Sequence, residues 1–191
     1  PNTDGLCAPG VAPDMERGFI RVNEHFETSL PGVYAIGDAV GGMMLAHAAS
    51  AQGLTVVHAI AGEEAPLCLD AIPACVYVSP EIASVGLTQA DCQQRGIEVK
   101  VGKALMGANG RTLIAGGQRG FIKVVVSAEN GRVLGAQLMC ERATDMIDSF
   151  TVAIANGLTA TQLMRAVRPH PTFLEAVGEA LDALEGRAIH S

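Results

Sequence analysis

Arg168-Pro169-His170-Pro171-Thr172-Phe173-Leu174-Glu175-Ala176 decides how the chain is read. A histidine stands between two prolines, and a carboxylate follows in the next few residues. Proline fixes its own φ and pushes the residue before it toward extended backbone. His170 is therefore expected in a stiff, non-helical segment. Thr172 has the character of an N-cap, and Glu175 has the spacing of the N3 partner in a capping box. The helix that follows is expected to carry Phe173, Leu174, Val177, Leu181 and Leu184 at helical spacing. An imidazole at the mouth of a helix, with a carboxylate near enough to orient it, has the make-up of a general base. Spacing alone serves a plainer reading better, in which His170 is a loop residue and Glu175 only caps the helix.

Toward the N-terminus of this stretch, strands come before helices. Short apolar runs at 72–78, 82–86 and 99–105 read as strands, with a turn at Ser79-Pro80-Glu81. Thr88 opens a helix that ends at Arg95-Gly96, and Asn109-Gly110-Arg111 reads as a turn. Residues 120–126 and 133–140 flank Glu129-Asn130-Gly131-Arg132, a hairpin signal. Residues 144–156 are expected to form one helix closed by Gly157, and 159–166 a second one capped by Thr159. Strands clustered ahead of helices predict an α+β fold, an antiparallel sheet flanked by helices.

The first third of the chain has a different character. Gly18–Val22 reads as a short strand, and Val33-Tyr34-Ala35-Ile36 as a buried parallel strand. Gly37-Asp38 follows at its end, then Gly41-Gly42, then a helix of small and apolar residues from about 44 to 61. A strand, an acidic residue, a glycine turn and a helix N-terminus suit an electron-rich polar ligand. The simpler alternative is that Asp38 caps the next helix. Glu63-Glu64-Ala65-Pro66 is a polar break. The boundary is placed there, giving a partial α/β segment at 1–66 and a second domain at 67–191.

Taken together, these stretches resemble the flavoprotein disulfide reductases. His170-Pro171-Thr172 followed by Glu175 is similar to the histidine–glutamate pair of that family. Gly32-Val33-Tyr34-Ala35-Ile36-Gly37-Asp38 is similar to its second FAD motif, and Pro80–Thr88 to its dimerisation domain. Met44-Leu45-Ala46-His47 looks like the segment that meets the pyrimidine edge of the flavin, in the manner of the lipoamide dehydrogenase branch. The resemblance implies that 1–66 closes a flavin-binding domain and that 67–191 is the dimerisation domain. It implies FAD held by Gly37, Asp38, Met44, Leu45, Ala46 and His47, and NAD as the second cofactor. It implies a homodimer and a dithiol substrate such as dihydrolipoyl groups. His170 would exchange the substrate proton in the partner subunit's site, with Glu175 orienting it across a cis His170–Pro171 bond. Glutathione-reductase-like or mercuric-reductase-like members, a non-catalytic dimerisation module and a flavin binder without thiol chemistry remain open alternatives. A terminal cysteine pair is missing from Arg187–Ser191, which disfavours the mercuric reductases.

Composition narrows the function from another side. The chain has 191 residues, 49% of them hydrophobic, and a formal net charge of −7. Phosphate neutralisation needs clustered Lys and Arg, so nucleic acid is not an expected partner. No run approaches the roughly 18 apolar residues of a membrane span, and a membrane is not expected either. The five cysteines, at 7, 68, 75, 92 and 140, form no CxxC or CxxxxC pair. They read as reduced thiols of a cytoplasmic protein, and no metal site is expected. The chain also lacks a G-x-G-x-x-G fingerprint. It starts at Pro1 without an initiator Met, and is expected to be cut from a longer protein. Alone, without fingerprints or a redox cysteine pair, it is expected to be inactive.

Overall fold

The computed structural model describes every residue except Pro9, Gln118 and Ser191. The chain packs as two compact units, Pro1–Leu69 and Asp70–Ser191.

In the first unit, β1 (Met15–Glu16) pairs antiparallel with β2 (Phe19–Ile20). Arg17 and Gly18 between them both have positive φ, 51° and 86°. That is the requirement of a two-residue turn whose twist matches its strands. The parallel strand expected at Val33–Ile36 does not form. The segment is extended, but its pairing is a single antiparallel bridge, Glu27 to Tyr34. A strand needs a ladder partner as well as an apolar sequence, and the described residues provide none beyond that bridge. Gly37–Ala39 makes one 3₁₀ turn. Helix α1 (Ala46–Ala61) follows, and Gly62 ends it in the left-handed conformation at φ 72°. Ala48 and Val56 are buried, whereas Leu54, Val57 and Ile60 are exposed.

The second unit is built on one five-stranded sheet. Its strands are β3 (Ala74–Val76), β4 (Ile82–Gly86), β5 (Val99–Leu105), β6 (Phe121–Ser127) and β7 (Val133–Met139). The spatial order is β3-β4-β7-β6-β5, and every neighbouring pair is antiparallel. The α+β class read from the sequence is the one observed. Register shows why one face is the core. Ala104, Ile122, Leu138 and Ala83 stand opposite one another in successive strands, and so do Gly102, Val124, Ala136 and Val85. Because side chains alternate with period two, these two rows share a face. All the non-glycine members are buried.

Helices cover that face. Helix α5 (Asp148–Ala155) lies on β4 and β7, and α7 (Glu175–Asp182) lies on β5 and β6. Phe150 and Ala153 of α5, and Ala176, Val177, Ala180 and Leu181 of α7, enter the same cluster. The small residues in the rows let α7 come close. A Cβ placed on Gly102 would fall 2.0 Å from the carbonyl oxygen of Ala180.

Local chemistry sets the remaining boundaries. Thr88 and Asp91 form a reciprocal capping box on α2 (Gln89–Gln94), as do Thr159 and Gln162 on α6 (Ala160–Met164). The turn expected at Asn109-Gly110-Arg111 is instead a helix start. Asn109 Oδ1 accepts the N–H of Thr112 at 2.9 Å and caps α3 (Gly110–Ile114). The helix expected at 144–156 is two helices, α4 (Ala143–Met146) and α5, joined at Ile147. At that join Phe150 N–H bonds the carbonyl of Ile147, three residues back, which tightens the turn.

Candidate functional site

The link between α6 and α7 is fixed before it reaches the histidine. The Arg168 guanidinium donates to the carbonyls of Leu163 and Ala166 at 3.3 and 3.1 Å, closing the end of α6. The His170–Pro171 peptide bond is cis. Thr172 does not cap α7 as expected. Its hydroxyl donates backward to the carbonyl of Pro169 at 2.7 Å, and the N-cap position falls on Leu174, which has no capping side chain. Only half of the expected box is present. Glu175 Oε2 accepts the Thr172 N–H at 2.8 Å.

The other oxygen of Glu175 serves the imidazole. His170 Nδ1 and Glu175 Oε1 are 2.8 Å apart. The Glu175 carboxyl is held below the usual carboxylate range, chiefly by the Thr172 N–H and next by the His170 ring. An ionised carboxylate can only accept, so Nδ1 carries the hydrogen and Nε2 is left as the basic nitrogen. The side chain of His170 is 79% exposed and that of Glu175 31%. Since the folded pKa of Glu175 is depressed, its stabilising share is present above the ordinary carboxylate pKa. It is lost as pH falls through the depressed value.

Asn109 is a residue that sequence reasoning missed. Its amide donates to the carbonyl of Thr172 at 3.0 Å while its oxygen caps α3, so one buried side chain ties the histidine loop to a helix start. The Arg111 guanidinium also sits 5.9 Å from the Phe173 ring centroid. The signal available in the sequence was Asn109 followed by a short helical pattern, which reads equally well as a turn. Together these elements shape a pocket of about 280 Å³. Its lining includes His170, Glu175, Asn109 and the apolar Ala104, Leu105 and Ala108.

In the first unit, Asp38 is exposed within the turn after Ile36. The Gly37 N–H donates to Gln52 Oε1 of α1 at 2.7 Å. A Cβ on Gly37 would meet Ala49 at 3.0 Å, and its φ is 67°. Leu45 occupies the N-cap of α1 with extended backbone and no capping side chain. Met43 and Met44 are exposed beside it. Asp38 thus offers acceptor oxygens and the helix start offers backbone N–H donors, a set that fits a ligand bearing hydroxyls and carbonyls. No cluster of three candidate metal ligands occurs among the described residues. All five cysteines are free thiols, and burial followed by Glu81 pushes Cys140 up to about 12. No described helix is long and apolar enough to cross a membrane.

An antiparallel α+β unit with a carboxylate-oriented histidine, preceded by an extended segment, a 3₁₀ turn and a helix start, has the parts expected of redox enzymes that pair a flavin domain with a dimerisation domain. Comparison with known proteins agrees. Residues 72–181 match the dimerisation domain of the pyridine nucleotide-disulphide oxidoreductases, and residues 1–53 match the pyridine nucleotide-disulphide oxidoreductase domain that accompanies it. The chain belongs to this family. It is 44% identical to a dihydrolipoyl dehydrogenase of Chlorobaculum tepidum, over 95% of this chain and 39% of that protein. It is 44% identical to one of Thermus scotoductus, over 100% of this chain and 41% of that protein. Among solved structures, LpdA of Mycobacterium tuberculosis superposes with a TM-score of 0.88 at 29% identity, covering 96% of this chain and 40% of that one. The chain therefore spans about 40% of the length of the relatives it matches.

Proposed function

We propose that this chain forms the end of the flavin domain and the dimerisation domain of an FAD-dependent, NAD-linked, cytoplasmic oxidoreductase that reoxidises a dihydrolipoyl-type dithiol. The observation that carries the reading is the His170–Glu175 bond at 2.8 Å, which engages Nδ1 and leaves Nε2 of the exposed ring to act as a base. Asp38, Gly37 and the start of α1 at Met44, Leu45, Ala46 and His47 would hold FAD. FAD, when bound, supplies the electron acceptor that passes a pair of electrons from the thiols toward NAD. The work of this chain is proton transfer and positioning. His170 Nε2 takes a proton from one substrate thiol, so that a thiolate can attack a disulfide. Glu175 keeps the ring in one tautomer, and Asn109 and Thr172 keep Glu175 in place. The cysteines of this chain are free thiols, so the disulfide would come from the flavin domain of the partner subunit in the complete protein.

Two exposed apolar surfaces support the larger assembly. Leu54, Val57 and Ile60 on α1 suit cover by the remainder of a flavin domain. Tyr77, Leu113, Ile114 and Val167 suit a subunit interface. Two results are expected. The chain alone should sediment as a dimer at micromolar concentration, yet show no dithiol turnover with FAD and NAD added. A strictly monomeric folded species, or measurable turnover in a homogeneous preparation, contradicts this. In the complete flavoprotein, Asp38→Ala should lower the bound flavin per subunit, read from the visible spectrum after dialysis. Undiminished flavin content would remove Asp38 from the site.

A further inference from the structure

Glu179 stands one turn beyond Glu175 on α7, and so on the same face. It repeats the arrangement found at Glu175 with a different histidine. Its Oε2 accepts the N–H groups of Ile189 at 2.9 Å and His190 at 3.0 Å, and its Oε1 lies 3.2 Å from His190 Nδ1. One carboxylate thereby collects three contacts from one short segment. Bonds to an ionised acceptor are roughly twice as strong as neutral ones. Ending the helix does not require them. Gly186 already closes that turn in the left-handed conformation, and the Arg187 N–H reaches the carbonyl of Asp182 at 3.0 Å. What Glu179 adds is the position of residues 189–190. His190 and Glu179 line the same pocket as His170 and Glu175. The Glu179 side chain is 21% exposed, well within that wall.

Resting on the dithiol reading above, we propose that Glu179 is a positioning residue that latches the 187–190 segment as one wall of the substrate pocket. His170 moves the proton, and the latched segment confines the methylene chain of an uncharged dithiol against Ala104, Leu105 and Ala108. The latch acts on binding and leaves the chemical step alone. A substrate that needs the closed wall binds more weakly in proportion to the fraction of molecules with the wall open.

The test uses the complete flavoprotein with dihydrolipoamide as probe. Glu179→Gln should raise KM about fivefold or more and leave kcat within about twofold. Hydrogen exchange of the peptide containing Ile189 and His190, followed by mass spectrometry, should speed up about tenfold in the same variant. Ile189→Pro removes one of the latched N–H groups without touching α7, and should raise KM in the same sense. It covers the case in which Glu179→Gln fails to fold. An unchanged KM in a variant whose segment exchanges freely overturns the proposal, and so does a fall in kcat at constant KM. Wild-type flavoprotein that is inert toward dihydrolipoamide would instead defeat the dithiol reading, and the latch then stands or falls on the exchange data.

Discussion

His170→Gln in the complete flavoprotein is expected to lower dithiol turnover by about 10²–10⁴-fold, the usual contribution of a positioned general base. Flavin content and thermal stability should stay near wild type, because the ring is mostly exposed and contributes little to packing. Glu175→Gln should cost less. A neutral amide can still accept a bond at Oε1, but it no longer ensures that Nδ1 is the protonated nitrogen. If Glu175 merely ties the loop through Thr172, both effects disappear. Glutamine there would be nearly silent in catalysis, and the His170 variant would retain its activity. Steady-state rates of both variants, with flavin content as the control, separate the two patterns.

Gly102→Ala is expected to destabilise the fold by roughly 2–3 kcal/mol, the scale of an overpacked core. The added methyl would meet the Ala180 carbonyl oxygen at 2.0 Å and the Leu184 side chain at 3.0 Å. The Leu184 side chain can turn aside, but the Ala180 carbonyl is backbone of α7 and cannot yield without moving the helix off the sheet. Because α7 carries both Glu175 and Glu179, the variant should also lose dithiol activity in the complete flavoprotein beyond what unfolding explains. Gly107→Ala is the matched control. Nothing lies within 4 Å of a Cβ there, and it should stay within about 0.5 kcal/mol of wild type. Denaturant unfolding of the two variants measures the difference. Equal midpoints would mean that the sheet does not hold α7 as closely as described.

The parts of this molecule that were legible in its sequence are those governed by local rules. The strands at 82–86 and 99–105 show their apolar runs, and the Asn130-Gly131 hairpin and the caps Thr88 and Thr159 were readable from nearest neighbours alone. So was the meeting of His170 and Glu175, since a first-turn carboxylate can reach back across a stiff loop. What was missed depended on tertiary partners. Val33–Ile36 has a strand's sequence but, among the described residues, only a single bridge to join. Thr172 looks like a cap, yet the Pro169 carbonyl is nearer to its hydroxyl's geometry, so the helix starts later. Asn109 looked like a turn residue because its amide bonds Thr172, 63 positions away in the chain. The Glu179–His190 pair follows the i, i+4 rule from Glu175, but only folding brings residues 189–190 back onto it.

The role proposed for His170 is to move the substrate proton for a flavoprotein that accepts electrons from a dithiol. Rapid mixing of the complete flavoprotein with dihydrolipoamide, without NAD and with absorbance followed at the flavin band, tests it in a single turnover. Reduction is expected to be fast in the wild type and at least about 10²-fold slower in His170→Gln, with the same final amplitude. Equal reduction rates in the two proteins would contradict it.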